Sequence, residues 1–291
     1  MEVTVYRTSA FPHLNKGGNE AGVVIDAEAL NETQMLNIAK RVRYSETAFL
    51  LPSKDADFKL RYFSPTVEVP LCGHATIATF NLLRNLDKLD KTYYKVETKE
   101  GIFNVKVDPD YVTLELKKPT FHEIIDPEII EASLNIKQKD LLDYPIQIVS
   151  TGVKEIYLGV KDKAFLHQLT LQKSQIEALT ERYDVAGLYI YTLDTDNPHS
   201  HAQGRNFLPR LGIEEESATG TAAGALASYL HKYHDSTLRK FYFEQGYSMH
   251  KPSEIIAYLD VKDDHIEHVY VGGSMRFLDK IEGFNADKKT L

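Results

Sequence analysis

The chain has 291 residues, 43% of them hydrophobic, which is enough for two packed cores of ordinary size without staples. Its 34 basic and 42 acidic residues give a formal charge of −8, which repels polyphosphate and excludes nucleic acid as a general partner while leaving a small anionic metabolite open. One cysteine, Cys72, excludes an intrachain disulfide, no Cys/His cluster or CxxC suggests a metal, and no apolar run approaches membrane-spanning length, so the expected setting is the cytoplasm with no membrane partner.

Short strands dominate the first half: Val3 to Arg7, Phe58 to Phe63, Tyr93 to Glu97, Ile102 to Val107 and Val112 to Leu116. Turn residues at 99–101 and 108–110 separate the last three and predict an antiparallel meander. A helix is expected from Asn31, whose side chain caps with Gln34 three positions on, and Met35, Ile38, Ala39 and Val42 form its apolar face. After Pro119 the strand pattern lapses into a helix-prone stretch, 129–142. A second series then follows: Ile146 to Ser150, Glu155 to Val160, a helix over 173–182, Gly187 to Leu193, Lys240 to Glu244, Glu254 to Val261 and His268 to Gly272. A domain boundary therefore falls near 118/119, with residues 276–291 packing back on the first part and 119–275 forming the second.

The two halves repeat one pattern. Phe63-Ser64-Pro65 leads through Glu68 to Cys72-Gly73-His74-Ala75-Thr76 and a helix reaching about Leu83. Phe207-Leu208-Pro209 leads through Glu215 and Glu216 to Thr219-Gly220-Thr221-Ala222-Ala223 and a helix reaching about Leu230. Small residues on both helices (Ala75, Ala78; Ala222 to Ala225, Ala227) let sheet wrap closely, so each is expected to run buried through its half-domain. The expectation is an α+β chain whose two helix starts aim free N–H groups at a carboxylate held between the halves.

Glu46, in the increasingly apolar run Tyr44 to Leu50, is the candidate general base. In a closed cleft, loss of water would suit it to take and return a proton; the alternative is a solvent-facing strand carboxylate. His74 sits at a helix start, where the dipole disfavours imidazolium and suits hydrogen bonding or proton relay; a capping or structural histidine is the alternative. Gly73 and Gly220 either let backbone amides approach a ligand or serve tight turns. Cys72 invites a thiol-base hypothesis, but the repeat sets Thr219 at the matching position, so a buried small hydrophobe is the better reading. Among Glu214, Glu215 and Glu216 one carboxylate could face the site. Asn19, after Gly17 and Gly18, either orients a substrate or forms a turn. No dinucleotide or Walker loop is present, and no cofactor is expected.

Five blocks resemble the phenazine-biosynthesis PhzF-like isomerases, which share the diaminopimelate epimerase fold. They are Gly18-Asn19-x-Ala21; Ser45-Glu46-Thr47-Ala48-Phe49; Phe63 to Thr76 with Cys72-Gly73-His74-Ala75-Thr76; Phe207 to Pro209 with Gly212 to Ala222; and Glu244-Gln245-Gly246. The resemblance implies two pseudo-symmetric half-domains, each a curved, mostly antiparallel sheet or open barrel around a central helix, and a homodimer. It implies a cofactor-independent proton-shift isomerase with Glu46 as acid/base and Asn19, Ser45, Gly73, His74, Glu216, Gly220 and Thr221 binding substrate. Glu216-Ser217 stands where the family has Asp-Pro, and Thr221 where Ser is common. A family member that binds a metabolite or protein partner without turnover is the alternative.

Overall fold

A computed structural model describes residues 1–288 and divides the chain into two compact units, residues 1–115 with 272–291 and residues 116–271. The crossings lie at Leu116 and Gly272, where the sequence reading put 118/119 and 275/276; residues 289–291 of the returning stretch lie outside the described residues.

The first unit runs β1 (Glu2–Ala10), β2 (Asn19–Val24), α1 (Glu32–Val42), β3 (Glu46–Leu51), β4 (Phe58–Phe63), β5 (Glu68–Val69), α2 (Gly73–Asn85), β6 (Tyr93–Thr98), β7 (Gly101–Val107) and β8 (Val112–Leu116). α1 begins as expected: Asn31 and Gln34 form a full capping box, and Met35, Ile38 and Ala39 are buried against Val24, Phe49 and Phe63. Each fully buried aliphatic of that face is worth about 1.5–3 kcal/mol. Arg43, left-handed with φ 63, ends the helix. β6, β7 and β8 make the predicted antiparallel meander, but β2 pairs with β3, and β4 with β6, in parallel. The β2–β3 crossover is spanned by α1 and the β4–β6 crossover by α2, as parallel neighbours require.

The second unit runs β9 (Thr120–Ile125), α3 (Pro127–Leu134), β10 (Ile146–Ser150), β11 (Lys154–Gly159), α4 (Lys163–Gln168), α5 (Lys173–Arg182), β12 (Gly187–Thr192), β13 (Ala202–Leu208), β14 (Ile213–Glu216), α6 (Gly220–Tyr233), β15 (Lys240–Gln245), β16 (Ser253–Lys262) and β17 (His265–Gly273), after which β18 (Met275–Asn285) returns to pair with β1. The helix expected over 129–142 is shorter, because Asn135 adopts a left-handed φ of 56 and closes α3. The stretch just after Pro119 is also not helix-prone throughout: β9 is a largely exposed strand paired to β10, too polar to show a buried-strand pattern.

Pairing order repeats. β1 to β7 pair antiparallel, parallel, antiparallel, antiparallel, parallel and antiparallel along β1–β2, β2–β3, β3–β4, β4–β5, β4–β6 and β6–β7. β10 to β16 do the same. α2 and α6 are the central helices: His74 to Leu83 are all buried, as are Gly220 and Ala222 to His231. The small residues serve close packing, since a Cβ on Gly224 would come within 2.6 Å of Leu116. Even-numbered positions of β3, β4 and β13 and odd-numbered positions of β11 face these helices, whereas Phe49, Phe63, Ile156 and Leu158 face the outer cores.

Candidate active site

In the first unit three chain segments converge on the start of α2. The first is the turn before β2. Gly17 and Gly18 both have positive φ, and a Cβ on Gly18 would lie 2.4 Å from Ser9 Oγ, so glycine alone permits this turn. It delivers Asn19, buried, to the α2 start, where Asn19 Nδ2 lies 3.3 Å from His74 Nδ1.

The second is the link from α1 into β3. Ser45 and Glu46 follow the left-handed Arg43, and Glu46 pairs with Ala21 on the parallel neighbour, whose small side chain leaves room for the carboxylate. Glu46 faces the helix with 15% of its side chain exposed. Its Oε2 is buried without a hydrogen bond, 3.4 Å from His74 Nε2. Ser45 Oγ lies 3.5 Å from the same nitrogen. The strand-surface alternative for Glu46 is therefore set aside by its position.

The third is α2 itself. Cys72 is the extended N-cap residue, and its carbonyl accepts from the Thr76 amide and hydroxyl. Its Sγ lies 3.4 Å from His74 Nδ1 and 3.8 Å from Nε2. A Cβ on Gly73 would meet nothing within 4 Å, so neither packing nor a turn requires glycine there. The absence of a side chain keeps the first-turn amides approachable.

In the second unit the start of α6 repeats the arrangement with different chemistry. Thr219 is the extended N-cap, and its hydroxyl donates to Glu216 Oε2 at 2.6 Å. Gln245 ties the turn together: its Oε1 accepts from the Thr219 amide at 3.1 Å, and its Nε2 donates to the Glu216 carbonyl at 2.7 Å. Gly220 is buried at the first helical position, and the Thr221 carbonyl accepts from Thr151 Oγ1 at 2.8 Å. Of the acidic run, Glu214 is exposed, Glu215 is held by Arg205 through two hydrogen bonds, and Glu216 alone reaches the helix start. The loop is packed at Ser217, which is buried against Gly246.

Asn19, Ser45, Glu46, Gly73 and His74 thus come together in the first unit, and Glu216, Gly220 and Thr221 in the second. Sequence reasoning missed Gln245 as the tie of the α6 turn, although the Glu244-Gln245-Gly246 block pointed to it. It also missed that Glu46, Cys72 and His74 form one cluster of ligand atoms.

Comparison with known proteins bears on the family and the fold. The family described as phenazine biosynthesis-like protein (PhzC-PhzF) matches residues 8–278. An uncharacterized isomerase of Clostridium acetobutylicum is 34% identical over 286 residues, covering 93% of this chain and 94% of the relative. The crystal structure of a Bacillus anthracis PhzF-family protein superimposes with a TM-score of 0.89 at 28% identity, covering 97% of this chain and 99% of the other. A hydroxyproline epimerase from Agrobacterium vitis shares the fold alone, with a TM-score of 0.60 at 14% identity, over 100% of this chain and 95% of the other. Among the described residues no helix is long and apolar enough to cross a membrane. With the repeated sheets around central helices and the match across most of its length, the chain belongs to the PhzF-like family and has the diaminopimelate epimerase-like fold.

Proposed function

We propose that the protein is an isomerase that moves a proton between two carbons of a small carboxylate-bearing metabolite, with Glu46 as both acid and base. One observation carries this reading: Glu46 Oε2 is buried without a hydrogen bond, 3.4 Å from His74 Nε2, on a side chain that keeps 15% exposure. An oxygen with no hydrogen-bond donor on it is open to meet a substrate C–H directly. The family and the isomerase name of the Clostridium acetobutylicum relative support the same class.

The Asn19 amide donates to His74 Nδ1, which makes Nε2 the protonated nitrogen and aims an N–H toward Glu46 and Ser45. In the proposed reaction Glu46 removes a proton alpha to the substrate carboxylate, first-turn amides of α2 at Gly73 stabilise the developing negative charge, and Glu46 returns the proton at another carbon. One carboxylate that takes a proton from one carbon and delivers a proton to another, exchanging it with solvent between the two steps, calls for no cofactor.

The test is deuterium incorporation from heavy water into amino acids, hydroxy acids and cyclic diene carboxylates, followed by mass spectrometry with wild type and Glu46→Gln. Wild type should label at least one compound, and Glu46→Gln should do so about 100- to 10,000-fold more slowly. Equal labelling would remove Glu46 as the base. Binding of a compound with no labelling by either protein would favour the metabolite-binding alternative.

A further inference from the structure

We infer that Glu155 and Glu216 of the second unit share one proton across Asn206, with Glu155 its resting holder, so that Glu155 sets the charge held at the start of α6. Glu155 and Asn206 are both 0% exposed, and neither Glu155 oxygen nor either Asn206 amide atom meets a hydrogen-bond partner. Four such atoms on two fully buried side chains argue against a charged Glu155, because an ionised carboxylate without donors is among the costliest groups a fold can bury. A protonated carboxyl needs one acceptor for its O–H, and the Asn206 carbonyl beside it can serve.

Strand pairing sets up the contact. Tyr189 pairs with Asn206 and Asn206 with Glu216, so β12, β13 and β14 present the three in one row on the face toward α6. Glu155 lies on β11 opposite Gly187, one step of that face before Tyr157 and Tyr189, and the Asn206 amide acts on it from two strands away. Glu216, partly exposed, accepts from Thr219 Oγ1 at 2.6 Å at the helix start. The other groups facing Glu155 are Val149 on β10 and the Tyr157 and Tyr189 phenols, which burial keeps neutral; no cation acts on it. Arg205 and Glu215 pair with each other on the opposite face. Burial and the Glu216 charge together push Glu155 from 4.5 up to about 8. Below that pH the pair carries one negative charge; above it the proton leaves to solvent and the pair carries two. The second charge repels an anion offered to the first-turn amides of α6. The shared proton does not depend on the isomerase reading; its effect on substrate does.

The experiment follows the protonated-carboxyl infrared stretch of the full chain from about pH 5 to about pH 10 in wild type, Glu155→Gln and Glu216→Gln. The expected wild-type band persists at neutral pH, fades near pH 8 and is absent from Glu155→Gln. In Glu216→Gln it should fade at least about one pH unit lower, because the neighbouring charge is gone. No such band in folded wild type at neutral pH overturns the proposal. An unchanged midpoint in Glu216→Gln also overturns it, since the proton would then belong to Glu155 alone; that comparison holds even where Glu155→Gln fails to fold. With a metabolite from the labelling screen, wild-type KM should rise about tenfold as the band fades, while that of Glu155→Gln stays flat. A flat wild-type KM overturns the influence on substrate. If the midpoint shifts but no metabolite is labelled, the isomerase reading falls and the shared proton stands.

Discussion

The two units share strand order and helix placement, yet each puts its helix-facing carboxylate on a different strand. In the first unit Glu46 stands on β3 opposite Ala21 of β2; in the second Glu155 stands on β11 opposite Gly187 of β12. Both have a small residue on the parallel neighbour and face the central helix. Glu46 keeps partial exposure and has an imidazole beside it. Glu155 is 0% exposed among Tyr157, Tyr189 and Asn206, and no donor meets hydrogen-bond geometry at either oxygen. One scaffold thus holds a carboxylate that a substrate can reach and another that is sealed in, and the difference lies in exposure and neighbours, not in backbone.

The sealed carboxylate gives the largest expected effect on stability. Burial, with the charge of Glu216 adding to it and the nearby Asn206 amide opposing it, pushes Glu155 from 4.5 up to about 8. The folded chain therefore keeps it protonated at neutral pH while the unfolded chain ionises it. Below about pH 4.5 both states are protonated and no penalty exists; as pH rises toward about 8 stability falls, and above that the loss is complete. The upper limit of that loss is about 5 kcal/mol. Glu155→Gln keeps the shape and removes the titration, so urea unfolding at pH 5, 7 and 9 should show the variant gaining on wild type by several kcal/mol across the series. A difference constant with pH would mean that Glu155 is not held neutral, and the contrast with Glu46 would fail.

How far the sequence shows these features follows from local pattern. The α1 cap, the outer face of α1 and the β6–β8 meander were legible, because Asn31, Gln34 and the turn residues act within a few positions. The repeat was legible from Phe-x-Pro and the small-residue helix starts. β9, β13 and β18 were not: β9 and β18 are mostly polar and gain their pairing from distant strands. The cluster of Glu46 with Cys72 and His74 was not legible as a cluster either, since it is the packing of the α2 start against β3 that brings its parts together across the sequence. Glu155 carried no sequence signal at all, because period-two alternation places it where a charged residue reads as solvent-facing.

Glycines sharpen the comparison at the next level. A Cβ on Gly204 would meet the Tyr189 ring at 2.4 Å, whereas one on Gly73 meets nothing. Gly204→Ala should cost about 1–3 kcal/mol by overpacking the tyrosine-rich face of the second unit, measured by urea midpoint, and leave proton exchange by the folded protein unchanged. Gly73→Ala should change stability by less than about 0.5 kcal/mol. It should weaken use of whichever substrate the exchange screen reveals by about tenfold, a loss of about 1.4 kcal/mol, by crowding the amides at the α2 start. If Gly73→Ala leaves both unchanged, the glycine does not serve ligand approach, and the α2 and α6 starts lose one of their proposed distinctions.

The smallest effect tests what the units hold in common. Arg61 on β4 grips Glu68 on β5 through two hydrogen bonds of 2.7 and 2.9 Å, and Arg205 on β13 grips Glu215 on β14 through two of 3.0 and 2.8 Å. Each guanidinium also lies over the phenylalanine two positions on, Phe63 at 5.1 Å and Phe207 at 4.9 Å. The pairs brace the loops that lead into α2 and α6. Partly buried bidentate pairs of this kind should couple by about 1 kcal/mol in double-mutant cycles to alanine, with both cycles agreeing within about 0.5 kcal/mol. Arg205→Ala alone should cost more than Arg61→Ala, because Arg205 also donates to the Leu166 and Leu169 carbonyls at 3.1 and 2.8 Å. Arg61 holds the Glu68 carboxyl below its usual value of 4.5, so that coupling is fully present above about pH 4.5 and fades as pH falls through the lowered value. Zero coupling in either unit at neutral pH would make the shared brace a likeness of geometry without shared energetics.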